Sequence, residues 1–339
     1  MIAHIAVALS LTLLAPIAEP PAAAEPPAAA EPPAAAELPA VAKLPAAELS
    51  TAQADTLPLP GVSVKYLEKA GDPVRLSTYG LGTKSTYLRA RTGNTFAQQP
   101  TLSEAAVSPD AATVAGVPKS YRAGYDSLLL TDRASGKGKR VRTVKKPLAA
   151  SYISWSRDSK RVALTVEQKV GGKWRAVGFT VVDVVTGTAR TVRPAGLDGA
   201  ADFWWSPGGD LVARFGDGLR TYRASDGATL RTFAGVGLPT GPEDAYSPSG
   251  SRLTTWCPSR FKEQLCLVNP ATGKIASRVA VSPEMLFGWW DESHVIAVMA
   301  HQGAYRLSVV DLTGKVTRVL AAIPSQTWKA NLWLTFRRG

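Results

Sequence analysis

The sequence contains few of the residues from which disulfide scaffolds and metal sites are built. Its 339 residues include two cysteines and three histidines, and no CxxC pair occurs. Two cysteines exclude a disulfide-rich scaffold. After residue 57 the histidines are His294 and His301, whereas a zinc site needs several ligands at fitting geometry. We therefore predict neither a metal site nor a cofactor.

Long hydrophobic runs and nucleophile motifs are also missing. No apolar run reaches the ~20 residues of a transmembrane helix, which excludes a polytopic membrane protein. The motif G-x-S-x-G is absent, and its nearest look-alike, residues 247–250, belongs to a repeated turn. Aspartates such as Asp183 and Asp311 recur at turns, where they cap backbone N–H groups. The sequence favours a non-enzymatic protein, and no residue is assigned as catalytic.

Residues 1–18 predict an export signal. Residues 2–17 are apolar and uncharged apart from a proton that His4 can carry, and their length fits the h-region of a secretory signal. The n-region holds no Lys or Arg, so an uncleaved anchor and a mis-assigned start remain alternatives. We expect a secreted or cell-envelope protein that contacts membrane only through an uncleaved N-terminus.

Residues 19–56 predict a disordered linker rich in Pro, Ala and Glu. EPPAAA occurs three times over residues 19–36, and two decayed copies follow. Paired prolines fix φ near −65° and continue neither a helix nor a ladder. We expect a semi-rigid spacer rich in polyproline II, with a low-complexity tail of no role as the alternative.

Basic charge is concentrated after this linker. The chain carries a net charge of +12. Residues 1–56 hold one Lys against five Glu and one Asp, a balance of −5, so residues 57–339 carry +17. Such a domain attracts anionic partners. Because nucleic acid conflicts with the export signal, we expect a protein or an anionic envelope polymer instead.

Two elements alternate along the chain after residue 80. The first is a turn that follows an aromatic or apolar residue and precedes a short apolar strand; its copies begin at Val107, Trp155, Trp205, Tyr246 and, in degenerate form, Trp290. The second is a strand that ends in a Gly turn, and the successive glycines are 43, 51, 40, 46 and 41 residues apart. Four short strands in ~44 residues are typical of a β-propeller blade.

This repeat resembles the WD40-like, TolB-type (PD40) propeller repeat, whose hallmark is W-S-P-D-G before an apolar strand and a later V-x-D-x-x-T-G turn. The resemblance covers roughly residues 80–339, and residues 155–158, 205–208 and 181–187 carry it best. Arg157 replaces Pro, and Gly208 and Ser249 replace Asp. The repeat identifies an architecture that proteins of many functions share.

The resemblance implies four strands per blade, A to D, with strand A beside the central channel. Five blades begin near Glu104, Tyr152, Asp202, Glu243 and Met285. Residues 326–329 and 331–336 would then supply strands A and B of a sixth blade, and residues 86–91 and 95–98 its strands C and D. We predict an all-β, six-bladed propeller of four-stranded antiparallel blades over residues 57–339, with the last blade closed by both chain ends. Residues 57–80 are an extra strand pair or a lead-in, and seven blades are the alternative.

The tryptophans divide into two groups. Trp155, Trp205, Trp290 and Trp328 are assigned to one repeat position, where packing between blades explains them. Trp204 and Trp289 alternate to the other side of strand A and are candidates for facing a ligand in the channel.

Three B–C loops, which the resemblance places on one face, interleave basic and aromatic residues. The candidate ligand-binding residues are Lys119, Tyr121, Arg122, Tyr125, Lys173, Trp174, Arg175, Arg260, Phe261 and Lys262. Such a face could attract an anionic partner and hold it by stacking or by bidentate Arg contacts. An ordinary solvated rim is the alternative. Cys257 and Cys266 flank the third loop, and in an exported chain we expect a disulfide between them rather than two buried thiols.

The hypothesis with most support is an exported, non-catalytic propeller that acts as a monomeric binding module or scaffold. The alternative is a hydrolase, lactonase-like or glycan-cleaving, with its site in the propeller channel. The hydrolase predicts converging carboxylates or a divalent ion at the channel mouth.

Overall fold

The computed structural model describes residues 54–241, 244–261 and 265–338, which form 26 β-strands and one short helix. The predicted export signal at 1–18, nearly all of the predicted linker at 19–56, and both Glu243 and Lys262 lie outside the described residues. The strands form six antiparallel sheets arranged as a six-bladed propeller, which confirms the predicted fold class.

Four blades are built from consecutive strands. Blade 2 contains β6 (Leu102–Val107), β7 (Thr113–Pro118), β8 (Tyr125–Asp132) and β9 (Gly138–Lys145). Blade 3 contains β10 (Ala149–Trp155), β11 (Arg161–Val170), β12 (Lys173–Asp183) and β13 (Ala189–Val192). Blade 4 contains β14 (Phe203–Trp205), β15 (Leu211–Phe215), β16 (Gly218–Tyr222) and β17 (Thr229–Phe233). Blade 5 contains β18 (Leu238–Pro239), β19 (Leu253–Trp256), β20 (Leu265–Asn269) and β21 (Lys274–Val279).

Blade 1 closes the ring with strands from both ends of the propeller. Its order is β26 (Leu332–Arg338), β3 (Val74–Leu81), β4 (Ser85–Arg89) and β5 (Phe96–Gln98). The predicted division of this blade is wrong, because β26 is strand A and β3 supplies strand B. Residues 326–329 are not a strand but lie in the helix α1 (Ser325–Lys329), whose Trp328 packs on Tyr305 at 5.3 Å between ring centroids.

Blade 6 carries a hairpin on its outer edge. Its strands are β22 (Met285–Trp289), β23 (His294–His301), β24 (Ala304–Asp311) and β25 (Val316–Ile323). The hairpin is β1 (Asp55–Leu59) and β2 (Val64–Glu68), and β2 pairs with β25 through Tyr66 and Ala321. The extra strand pair expected in residues 57–80 is therefore this hairpin, while β3 completes blade 1. Added strands cover an edge that would otherwise expose unpaired backbone groups.

The repeated turns between strands A and B form because short polar side chains accept hydrogen bonds from the backbone N–H groups of the turn. In blade 3 the Ser156 hydroxyl donates to Asp158 and accepts the Arg161 N–H at 2.9 Å. Ser159 takes a left-handed conformation with φ of 60°, and in blade 4 Gly209 takes the same place with φ of 84°. Glycine adopts this conformation without steric cost, which explains why the turn signature contains it.

The blades pack through apolar clusters that lie between neighbouring sheets. Phe179 of blade 3, for example, packs with Phe203 and Tyr222 of blade 4, and all three are almost fully buried. The largest cluster joins the β1–β2 hairpin, blade 1 and blade 6. Because consecutive strands alternate in direction, A–B and C–D connections share one side of the disc, here the AB face. B–C and D–A connections share the other, here the BC face. Among the residues described, no helix has the length and apolar character that crossing a bilayer requires.

Candidate functional site

The central channel is lined by the A strands of the blades. A cavity of about 230 Å³ opens there toward the AB face. Its wall is largely apolar, with Ile153, Trp155, Trp205, Phe287 and Phe336 among the lining residues. Its mouth is charged, with Arg157, Asp244, Arg337 and Arg338 around it.

Tryptophans at one repeat position tie neighbouring A strands together. The indole N–H groups of Trp155, Trp205 and Trp289 donate to Ala106, Ser154 and Ala245 carbonyls on the preceding blade, at 3.2, 3.0 and 3.0 Å. In blade 6 the residue at this repeat position is therefore Trp289. The prediction from the sequence, which placed Trp290 there, is wrong by one residue. Pairing agrees, because Trp155 faces Val162 as Trp289 faces Val295.

Trp204 and Trp289, the candidates for facing a ligand, both line the channel cavity. Trp204 is 1% exposed and packs in the cluster between blades 4 and 5, and Trp289 is 3% exposed and packs between blades 5 and 6. Trp328, assigned to the same repeat position as Trp155, lies instead in α1. The tryptophans of the A strands thus pack between blades and also line the cavity, and contact of Trp204 or Trp289 with a ligand stays a prediction.

Arg157 spans part of the AB mouth. It occupies the turn of blade 3 where the repeat has Pro, and its guanidinium reaches blade 5. There it donates to Asp244 at 2.8 Å and to the carbonyls of Tyr246, Ser247 and Pro248 at 3.1, 2.8 and 2.8 Å. Burial raises the pKa of Asp244, and Arg157 opposes that rise.

Carboxylates gather at the BC end of the channel. Glu104 of β6 accepts the backbone N–H groups of Tyr152, at 2.9 Å, and Ile153. Tyr152 has φ of 61° beside a bulge in β10, which turns both N–H groups toward Glu104. Burial raises the pKa of Glu104 to about 7, with Asp202 and Glu167 adding to the rise. Burial and Glu167 raise the pKa of Asp202 to about 6.

The predicted basic–aromatic residues of blade 2 form hydrogen bonds and ring contacts with neighbouring residues of the protein. The ammonium group of Lys119 donates to the Lys84 carbonyl at 2.9 Å, and the Tyr121 hydroxyl donates to Leu148 at 2.8 Å. Arg122 and Tyr125 bond each other's backbone across the loop. Lys146 and Arg142 lie over the rings of Tyr121 and Tyr125, at 4.8 and 5.1 Å from the centroids.

The predicted residues of blade 3 lie at the tip of a long hairpin. β11 and β12 pair through ten registered positions, and the turn is made by Gly171 and Gly172 with φ of 57° and 81°. Positive φ at both positions is typical of the tight turns that match strand twist. Trp174 is 50% exposed and Val170 51% exposed. The exposed cations of this tip are Lys169, Lys173 and Arg175.

The predicted residues of blade 5 form a compact stack. The guanidinium groups of Arg260 and Arg278 lie 4.8 and 4.5 Å from the centroid of the Phe261 ring. Arg260 also donates to the Gly235 carbonyl at 3.1 Å. Cys257 and Cys266, which end this loop, are joined by a disulfide with a Cα–Cα distance of 5.0 Å.

The three groups lie on the BC face but on separate blades. Among residues 54–241, 244–261 and 265–338, no hydrogen bond, ion pair or ring contact joins one group to another. The hairpin tip of blade 3 is the group with the most exposed aromatic side chain.

Sequence reasoning missed an arginine cluster on the opposite face. Arg75, Arg89, Arg91, Arg133 and Arg337 line one cavity where blade 1 meets blade 2. They come from positions up to 262 residues apart in the chain, so no local motif could reveal them. The one local signal is basic pairing, at Arg89 with Arg91 and at Arg337 with Arg338.

Within the described residues, no group of three or more His, Cys, Asp or Glu side chains is placed to hold a metal ion. Glu104, Glu167 and Asp202 at the BC end of the channel, here called the acidic mouth, therefore repel one another through space and do not have the geometry of a metal centre.

Comparison with known proteins finds similarity in fold. No protein-family model matches it, and no curated protein matches it. Similar solved structures include TolB from Acinetobacter baumannii, 17% identical over 80% of this chain and 67% of that one, with a TM-score of 0.46. The β-propeller domain of the Trilobed protease from Pyrococcus furiosus is 12% identical over 76% and 81%, with a TM-score of 0.48. An oligogalacturonate lyase in complex with manganese is 13% identical over 78% and 83%, with a TM-score of 0.51. The strand pairing shows a six-bladed β-propeller, and likeness to solved structures at this level of identity extends to the fold alone.

Proposed function

We propose that the protein is an extracytoplasmic, non-catalytic binding module that engages an anionic partner, a protein or an envelope polymer, through its BC face. The observation that carries the proposal is the hairpin tip of blade 3. There Trp174 presents half of its surface to solvent between exposed cations. A tryptophan in this setting offers stacking area and the cations offer charge, and together these are the anchors that binding surfaces favour.

The charge of the folded region and the predicted export support the same function. Residues 57–339 carry +17, which raises the rate of encounter with an acidic surface. The apolar residues 2–17 favour export. The loops of blades 2 and 5 add Tyr121, Arg122, Arg260 and Phe261 to the same face, so a large partner could contact several blades at once.

The test uses the full chain and two defined polyanions, poly-L-glutamate and polygalacturonate, in a surface-binding assay at low and high salt. The site variant carries Lys173→Glu, Trp174→Ala and Arg175→Glu. The matched control carries Lys137→Glu and Lys315→Glu, an equal change of charge at exposed C–D turns of the opposite, AB face. We expect the site variant to weaken binding about tenfold and the control less than threefold, a difference near 1 kcal/mol. Equal weakening in both would show that net charge alone causes binding and would overturn the proposal.

A hydrolase in the channel is the second candidate function, and the acidic BC mouth favours it. A carboxyl group with a pKa near 7 can serve as a general acid. Against this role, both oxygens of Glu104 already accept backbone N–H groups. A screen of lactones and glycans tests it. Turnover that disappears in Asp202→Asn favours the hydrolase, and absence of turnover in the unmodified protein rejects it for those substrate classes.

A further inference from the structure

A cavity of about 120 Å³ lies on the AB face where blade 1 meets blade 2. Five arginines line it: Arg75 of β3, Arg89 of β4, Arg91 after β4, Arg133 after β8 and Arg337 of β26. Ser77 and Asn94 add polar atoms to the same wall. Of the described residues that line this cavity, none is a carboxylate.

One of these arginines is neutralised within the protein. The Arg89 guanidinium forms a two-pronged pair with Glu68 at 2.7 and 2.8 Å, and both side chains are buried. Arg75 lies 4.0 Å from the same carboxylate, so a single negative charge serves two arginines. The cluster therefore keeps a surplus of positive charge around the cavity.

Arg133 and Arg337 donate to backbone carbonyls, which carry no full negative charge. Arg133 donates to the Ala111 and Arg89 carbonyls at 3.2 and 2.9 Å. Arg337 donates to the Arg338 carbonyl at 3.1 Å. Burial together with neighbouring arginines lowers the pKa of both Arg133 and Arg337. Like charges held in a partly desolvated space are costly unless an anion joins them.

Nearby carboxylates are engaged in turns or at the hairpin. Asp110 and Asp132 line the adjoining cavity, which shares Arg91, Arg133 and Arg337 with this one. Hydrogen bonds from Ser135 lower the pKa of Asp132, and the charge of Arg91 contributes to that lowering. Asp132 accepts the Ala134 and Ser135 N–H groups, at 3.1 and 2.7 Å, and Asp110 accepts the Ala112 N–H at 3.0 Å. Asp55 accepts the Asn94 amide at 3.2 Å. These carboxylates cap backbone and side-chain donors beside the cavity, while its own wall stays positive.

We propose that this cavity binds a phosphate-type dianion, either free phosphate or the terminal group of a phosphomonoester. Guanidinium groups offer paired N–H donors that match phosphate oxygens, and several of them converge here from different strands. A volume of about 120 Å³ is several times the space that one water needs, which suits a small oxyanion. The cavity lies on the AB face and is independent of the hairpin tip on the BC face.

The experiment is a calorimetric titration of the full chain with inorganic phosphate and with phenyl phosphate, at constant ionic strength set with sodium chloride. We expect saturable binding of at least one of them. If both ligands bind, the cavity accepts phosphomonoester groups as well as free phosphate. If only inorganic phosphate binds, the cavity is specific for the free ion. Binding of neither overturns the proposal.

Variants locate the site. Arg91 is exposed, so Arg91→Gln should fold normally, and the double variant Arg91→Gln with Arg337→Gln should weaken phosphate binding about tenfold. Arg223→Gln is the control, because Arg223 is an exposed turn arginine on the same face, outside the cavity, where it pairs with Asp226. Its dissociation constant should stay within twofold of the unmodified protein. Equal weakening by the control, or unchanged binding in the double variant with an unaltered melting temperature, would refute the assignment.

Discussion

The guanidinium of Arg157 donates to the carboxylate of Asp244 at 2.8 Å and so joins the turn of blade 3 to blade 5 at the mouth of the channel. The residue that departs from the repeat thus makes a contact that the repeat itself could not make. Proline at this position has no side-chain donor, whereas arginine satisfies four acceptors at once.

Replacing Arg157 by Met should lower the free energy of unfolding by about 2 kcal/mol, because several hydrogen bonds are lost and the Asp244 carboxylate loses its cationic partner. Chemical denaturation measures the change. Arg223→Met is the control, since its ion pair is exposed and contributes little. A loss no larger than that of the control would mean that the bridge adds nothing to stability.

Breaking the pair between Glu68 and Arg89 should be more damaging. Arg89→Met removes the two-pronged partner of the buried Glu68 carboxylate and leaves it only Arg75, at 4.0 Å, so we expect a loss of about 3 kcal/mol. The double variant Glu68→Gln with Arg89→Met should recover much of that loss, because no uncompensated charge remains. If single and double variants unfold at the same denaturant concentration, the cost arises from packing and not from charge.

Stability at the acidic mouth should depend on pH. The pKa of Asp202 is raised to about 6, so the folded state binds more protons than the unfolded state between pH 4.5 and 6. Its contribution to stability therefore falls as pH rises through that interval. Asp202→Asn removes this fall, and its melting temperature relative to the unmodified protein should increase from pH 4.5 to 6.

The control for this comparison is Asp226→Asn. A hydrogen bond from the Ala228 N–H, aided by Arg223, lowers the pKa of Asp226, so it stays ionised across the interval. Its difference from the unmodified protein should be flat between pH 4.5 and 6. Parallel curves for Asp202→Asn and Asp226→Asn would contradict the role given to burial at the mouth.

The disulfide should stabilise blade 5. Cys257 and Cys266 close a loop with a sequence separation of 9, for which loop closure in the unfolded chain is worth about 2–3 kcal/mol. Calorimetry with and without reductant should show a lower melting temperature after reduction. The variant with serine at both positions should already melt at the lower temperature and should not respond to reductant.

The sequence was sufficient to predict the blades because each repeat carries its own turn chemistry. The two kinds of turn alternate along the chain, and the Gly turns recur every 40 to 51 residues, so four strands per unit followed from local residues. Closure was harder, because strand B of blade 1 comes from residues 74–81 and its partner from residues 332–338. No repeat signature marks either segment.

The errors at Trp290 and in blade 1 have local causes. The turn after Trp289 has lost its Ser and Pro, so the second tryptophan of the pair resembled the start of a copy although the first occupies the repeat position.

The arginine cavity depends on residues from four segments of the chain in blades 1 and 2, and its assembly requires the closed ring. Exposure of Trp174 depends on the length of the hairpin, which its polar, Gly-containing tip indicates only weakly.

Pairing of β26 with β3 also sets the order in which the ring can form. Ser77 and Thr335 bond across this junction although 258 residues separate them, and seven residue pairs are in register there. During synthesis the edge of β3 that pairs with β26 stays unpaired until β26 has left the ribosome. A nascent or truncated chain without β26 would offer that edge to strands of other molecules, which makes this junction the point where exchange between copies would begin.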